Sequence, residues 1–193
     1  KASARSRIYE YIAPISLFHK SKEPLSEEEI AATLKRLRDM LEKFKGTRNY
    51  HNYTKSMNPK ESKAKRFIIN IEVDTIKSEK YPDAQFIKFI LHGQSFIYHQ
   101  IRKMIGIMVQ MVHGNEKEDF LDNSFEHAKQ RIWLAPPQGL LLNRVTFEGY
   151  NKKKGIPEYI EFDEDEEERM RKFKYEQIYP LIYDSELKEK SFS

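Results

Sequence analysis

Cysteine is absent from this 193-residue chain, which excludes disulfides, thiolate metal sites and cysteine nucleophiles. A reducing compartment fits that absence. No apolar run reaches the roughly eighteen residues that a membrane helix needs, so no span is expected. The longest apolar stretch, Phe96 to Val112, is interrupted by His99, Arg102 and Lys103. No GxGxxG, P-loop, HExxH or GxSxG pattern occurs, and the six histidines lack metal-ligand spacing. Hydrolase, kinase and dehydrogenase readings therefore have little support, and no metal site is expected. There is no initial Met and no signal peptide. A strand pattern begins within five residues of Lys1, which reads as a start inside a domain.

What is present is an apolar content of 39%, with 12% aromatics, enough for a core. Charged residues make up 33%, so the surface is densely ionised. The net charge of +4 hides a segregation. Residues 158–168 hold eight acids and no Lys or Arg, leaving 34 bases against 22 acids elsewhere, a net of +12. A basic body beside an acidic patch fits either a polyanionic partner or a solubilising surface.

Periodicity places the elements. Residues 5–13 alternate as a strand, with Arg7, Tyr9 and Tyr11 on one face and Ile8, Glu10 and Ile12 on the other. Ser26 with Glu29 three residues on is a capping box, and Ile30, Leu34, Leu37, Leu41 and Phe44 form a helical stripe that Gly46 ends. Residues 47–63 read as a polar loop. Two strands follow, RFIINIEVD and Gln85 to His92, in an antiparallel pairing. The second is apolar on both faces apart from Lys88, which predicts a central position. A helix is expected from about Ser95 to His113, shorter helical pieces over 116–131, a rigid loop at LAPPQG and a last strand from Leu140 to Phe147. Residues 151–157 read as a linker, and 163–188 as a helical extension broken near Pro180. The expected class is α+β: a mostly antiparallel sheet with packed helices, over 1–150, plus the extension over 151–193.

Three segments could carry chemistry. In GQSFIYHQIRKMIG, helical spacing would align Ser95, Tyr98, His99 and Arg102. Arg102 then sits where a polar half meets a buried half, and its guanidinium needs an anion, either a carboxylate or a nucleic-acid phosphate. An ordinary structural ion pair satisfies the same need. Arg7, Tyr9 and Tyr11 can stack a base and hold its phosphate, or can serve cross-strand packing. The loop Asn49 to Lys55, with Tyr50, His51 and Asn52, could line a polynucleotide groove or anchor a long connection.

Taken in order, these segments resemble the TruA-type pseudouridine synthases, and most of all their eukaryotic branch. RIYEYIAP is similar to the family's Arg-x-Tyr-x-Tyr strand. GTRNYHNYT is similar to Gly-x-x-x-Phe-x-x-Phe-Thr, with Tyr50 and Tyr53 in place of phenylalanines. HGQSFIYHQIRKMIG is the most diagnostic segment, and APPQGLLL resembles the family's approach to its last strand. VTFEGYNKK followed by a charged helical tail resembles the eukaryotic branch. The resemblance implies half of a pseudouridine synthase catalytic domain, working on tRNA as an isomerase without metal or organic cofactor. It implies that Tyr9 stacks on the flipped uracil and that Arg102 pairs with the catalytic aspartate. Leu140 and Leu142 would wall the uridine pocket, and Arg7, Tyr11, Tyr50, His51, Asn52 and His99 would contact RNA. A monomer is implied, in the nucleus or alternatively the mitochondrion. The chain departs from the pattern in one respect: the family's Arg-Thr-Asp-x-Gly-Val-His segment, upstream of the tyrosine strand, does not occur. The polypeptide alone is therefore expected to be inactive until joined by the missing half of the domain. A non-catalytic RNA-binding module and a purely structural α+β domain are the competing readings.

Overall fold

The structure is a computed structural model that describes residues 5–20, 24–114, 116–152 and 160–189. Its centre is a five-stranded sheet in the order β2-β3-β4-β1-β5, with every neighbouring pair antiparallel. The strands are β1 (Ser6–Pro14), β2 (Gly46–Asn49), β3 (Lys65–Ile76), β4 (Phe86–Gly93) and β5 (Leu140–Thr146). The helices are α1 (Glu27–Glu42), α2 (Gln100–His113), α3 (Phe120–Asn123), α4 (Glu148–Asn151), α5 (Glu164–Phe173) and α6 (Tyr179–Glu189). This is the expected α+β class. No helix among the described residues is long and apolar enough to cross a membrane.

Local sequence explains the elements. Both bonds of the Ser26–Glu29 capping box form at the start of α1. Leu34, Leu37 and Leu41 are buried against the sheet, and such leucines typically contribute about 2–5 kcal/mol each when truncated to Ala. The helix stops at Glu42 rather than running to Gly46. Gly46 instead, with φ 81°, turns the chain into β2, a strand of four residues too polar to show a strand pattern. β4 is indeed internal, between β3 and β1.

Both faces of the sheet are covered, and β1 shows why the alternation matters. Its front residues Tyr11 and Ala13, with Tyr9, join a core filled by α1 and α2. Its back residue Ile12 joins a second cluster with Phe86, Tyr179, Ile182 and Tyr183. That second cluster is where the carboxy-terminal extension docks. Glu10, also on the back and buried, accepts hydrogen bonds from Lys174 Nζ at 2.8 Å and Tyr179 Oη at 2.6 Å.

The extension is not broken at Pro180. Lys174–Ile178 forms a π-turn in which Tyr179 N–H bonds the Lys174 carbonyl, and helix continues on both sides. Proline lacks an N–H, so it is tolerated just past a turn whose bonding is already irregular. Two further expectations are corrected. Over 116–131 only α3 is helical, because the segment is held by side chains as described below. The linker predicted over 151–157 lies mostly outside the described residues.

Candidate active-site cleft

The segment 131–136 crosses α2 as an extended strap, and the spacing of α2 explains how. Arg102, Gly106 and Gln110 are four residues apart, so they share one helical face. Gln110 donates to the Arg131 carbonyl at 3.3 Å and accepts from Trp133 N–H at 3.2 Å. At Gly106 the strap touches the helix backbone: a Cβ there would lie 2.0 Å from the Trp133 carbonyl oxygen. Arg102 closes the row. Its carbonyl accepts from Ala135 N–H at 3.2 Å, and its Nε donates to the Ala135 carbonyl at 2.6 Å.

The guanidinium is thereby fixed at one edge, while among the described residues no carboxylate lies within ion-pair distance of it. It is half-buried. A neighbouring strap carbonyl, that of Pro136, accepts from Tyr11 Oη at 2.8 Å. Burial pushes the Tyr11 phenol far above its usual range, and the Arg102 charge pulls it back in part. Tyr9, two residues along the same face of β1, sets its ring edge-on to Phe96 at 5.2 Å. Leu142 is its register partner on β5 and is 48% exposed, with Leu140 paired to Tyr11. A β-bulge between Ile8 and Tyr9 sets that register and leaves Asn143 as the extra residue. Arg7 pairs with Gly93 and Val145 further along the strand. Tyr9, Leu140, Leu142 and Arg102 thus belong to one side of the sheet around the strap.

The approach to α2 differs from the spacing argument. The helix begins at Gln100, and His99 before it has φ 69°, the only positive φ of a non-glycine among the described residues. A left-handed residue cannot continue a right-handed helix. Ser95, Tyr98 and His99 therefore do not form a helical stripe with Arg102. Gln100 instead turns back to accept from Ile97 N–H at 3.0 Å. Tyr98, 72% exposed, stacks on the His99 ring at 3.8 Å. Burial lowers the His99 pKa, and Arg102, Lys103 and Lys55 lower it further. His99 is thus a strained residue set in a positive field.

Three predicted contact residues are framework. Tyr11 is fully buried and its hydroxyl is engaged. Tyr50 is fully buried and donates to the Phe44 carbonyl at 2.9 Å. Asn52 is buried and donates to the Ser124 and Ala128 carbonyls while accepting from Gln130 N–H. The polar atoms of those three are engaged within the fold. His51 is different: it is buried with Nδ1 3.2 Å from Asn49 Oδ1, but its Nε2 has no partner among the described residues. The loop 49–55 is thus chiefly an anchor, with Tyr50, Tyr53, Phe44 and Phe125 interlocked in edge-on and stacked pairs. Sequence reasoning missed Gly106, Gln110 and Ala135. The four-residue spacing of Arg102, Gly106 and Gln110 was the available signal.

No group of His, Asp or Glu able to hold a metal ion occurs among the described residues. The arrangement presents an arginine with one nitrogen fixed and the rest available to an anion, beside an aromatic ring and an apolar strand. Such a site suits a planar base and a carboxylate or phosphate.

Comparison with known proteins defines the class. The tRNA pseudouridine synthase family profile matches residues 40–148, and the chain belongs to that family. It is 35% identical over 199 residues to the mouse protein named pseudouridylate synthase 1 homolog, covering 100% of this chain and 46% of that protein. It is 36% identical over 166 residues to tRNA pseudouridine synthase 1 of Candida albicans, covering 84% of this chain and 26% of that protein. The human pseudouridylate synthase 1 homolog is 34% identical over 194 residues, covering 97% of this chain and 45% of that protein. The chain spans less than half the length of each of these relatives.

Proposed function

We propose that this chain supplies the arginine-bearing half of the active site of an enzyme that isomerises uridine to pseudouridine in tRNA. The observation that carries the reading is Arg102, half-buried and oriented by Ala135, with no carboxylate partner in the described structure. A carboxylate nucleophile from the other half of the domain would complete the pair. Arginine would keep that group ionised, because an adjacent positive charge favours the charged form. The target base must leave its stack, and Tyr9 offers a ring for it to meet. The reaction breaks the C1′–N1 bond, turns the base and joins C1′ to C5. C5 gives up its proton and N1 gains one, so no cofactor is consumed. Leu142, exposed on β5, would supply an apolar wall that excludes water.

The family match, the open guanidinium and the absence of the Arg-Thr-Asp segment support a further reading: the chain by itself catalyses nothing. The partners on this view are tRNA and the upstream half of the same domain, in a monomer. The test is release of tritium from tRNA carrying 5-³H-uridine. The intact protein should release it, Arg102→Ala should lose about 10²-fold or more in kcat, and Arg102→Lys should not restore it, since a lysine cannot present a fork. Full turnover by Arg102→Ala would refute the pairing. Activity restored by mixing this chain with the upstream half would support the division of the site. A well-folded mixture without activity would favour a non-catalytic RNA-binding module.

A further inference from the structure

Around Lys103, the residue after Arg102, lies a cavity of about 520 Å³ that the reaction does not use. Three segments wall it: the loop from His51 to Pro59, α2 through Lys103, and residues 127–132. Its lining includes Lys55, Lys103, Lys129, Arg131, His51 and His127, and no carboxylate. That composition is unusual for this molecule. Lysines elsewhere pair readily with the abundant acids, as in Lys43–Asp122, Lys45–Glu42, Lys63–Glu61 and Lys80–Asp184. Among the described residues, none of the four cavity cations makes such a pair.

Lys103 is the most telling of them. Its ammonium is half-buried and donates to the carbonyls of Asn52 at 2.8 Å and Thr54 at 2.9 Å. Carbonyl oxygens orient a charge but do not neutralise it. Burial lowers the Lys103 pKa, and nearby Lys129 lowers it again. Two buried polar atoms on the lining also lack partners: His51 Nε2 and Gln130 Oε1. Burial lowers the His51 pKa, the Ala128 carbonyl offsets this in part, and His127 lowers it again. Within the chain's own acidic stretch Glu167 pairs with Arg144 and Glu168 with Arg171, and none of its acids is on the cavity lining. Un-neutralised, partly desolvated positive charge is costly, and a bound anion removes the cost.

We propose that this cavity is a phosphate-binding subsite that grips the backbone of the RNA substrate next to the nucleotide held in the cleft. The inference rests on the tRNA reading above. RNA is the anion favoured because the cavity is built on the same elements, α2 and the strap, that hold the Arg102 site. Lys103 follows Arg102 directly on α2, the strap at 131–135 borders both, and Lys55 and Lys103 both act on His99. Its volume lies within the roughly 300–1,000 Å³ range of small-ligand sites, enough for a phosphate and its sugar.

The experiment measures tRNA binding by the intact protein as a function of salt, for the parent, Lys55→Ala/Lys129→Ala and Lys35→Ala. Lys55 and Lys129 are exposed, so the double variant should fold, and its melting temperature verifies this. Lys35 lies on the solvent side of α1 and controls for general charge loss. The double variant should flatten the salt dependence by about one to two units of log-log slope and weaken binding about tenfold or more at moderate salt. Lys35→Ala should match the parent. A double variant with the parent's slope and affinity would overturn the proposal, as would an equal loss from Lys35→Ala. Pseudouridine formation is assayed in parallel. If the intact protein forms none, the catalytic reading fails while the salt slope still decides the subsite.

Discussion

Replacing Gly106 with alanine sets two effects against each other, and the structure says which wins. In a helix interior, Ala is favoured over Gly by about 1 kcal/mol. The new methyl, however, would lie 2.0 Å from the Trp133 carbonyl oxygen and 2.6 Å from its carbon, where ordinary contact begins near 3.4 Å. Both atoms are backbone, so no side chain can swing aside. The strap must withdraw by more than an ångström, the difference between those figures. Withdrawal strains the Gln110 bonds on one side and the two Arg102–Ala135 bonds on the other. Overpacking of this kind costs about 1–3 kcal/mol, enough to outweigh the helical gain. The melting temperature of the intact protein should fall by a few degrees, at roughly 2–4 °C per kcal/mol for a domain of this size. The larger effect should be on turnover. Arg102 takes its orientation from Ala135, and a misplacement of about 1 Å can cost on the order of 10² in rate. The tritium-release assay should show kcat down by about that factor while tRNA binding, carried mainly by phosphate contacts, changes less. A Gly106→Ala protein that melts higher than the parent and turns over normally would refute the claim that the strap orients the arginine.

Other perturbations have equally definite outcomes. Lys174→Ala leaves the buried Glu10 carboxylate without its cation, with only the Tyr179 hydroxyl bonded to it, and should destabilise the docked extension by about 3–5 kcal/mol, seen as early proteolysis of residues 160–189; resistance equal to the parent would contradict the pairing. His99→Gly removes the penalty of a side chain at φ 69°, so stability should hold or rise by roughly 1 kcal/mol while tRNA affinity falls, and a loss of stability would mean the ring is needed for packing. Hydrogen bonds from Lys80, Tyr81 and Lys188 hold the Asp184 carboxyl well below its usual range. A depressed carboxyl stabilises above its unfolded pKa of about 3.9, and that contribution disappears as pH falls through the folded value. Acid unfolding of the parent should therefore be steeper below about pH 4 than that of Asp184→Asn, and superimposable curves would remove the linkage.

Alternation and helical stripes sufficed for β1, β3, β4 and α1, because each buries one face or two against a continuous core. The central place of β4 could be read from its apolar faces, interrupted at Lys88. Non-local and unpatterned features escaped. β2 consists of Gly46, Thr47, Arg48 and Asn49, which pair by backbone alone and carry no hydrophobic signal. The start of α2 was misplaced by five residues because a left-handed His99 has no sequence signature comparable to glycine's. The strap hid in 131–136 since its contacts are to α2 rather than within itself. Within the site, Arg102 and Tyr9 could be named from their motifs. That Tyr11 and Tyr50 are buried framework follows only from three-dimensional packing, since an aromatic on a strand or loop looks the same whether it stacks on a base or on Phe125.

The π-turn at Lys174–Ile178 determines how change can accumulate in the extension. In a regular α-helix, residues five apart point about 140° away from each other. The turn brings Lys174 and Tyr179 over one another, so both reach the single carboxylate of Glu10. Removing one residue from within the turn would leave Lys174 and Tyr179 four apart in regular winding, only about 40° from one another, so both would still face Glu10 and the residues beyond would keep their side toward the sheet. The segment thus carries one residue beyond what regular winding needs, and the turn is the place where its length is free to change by one.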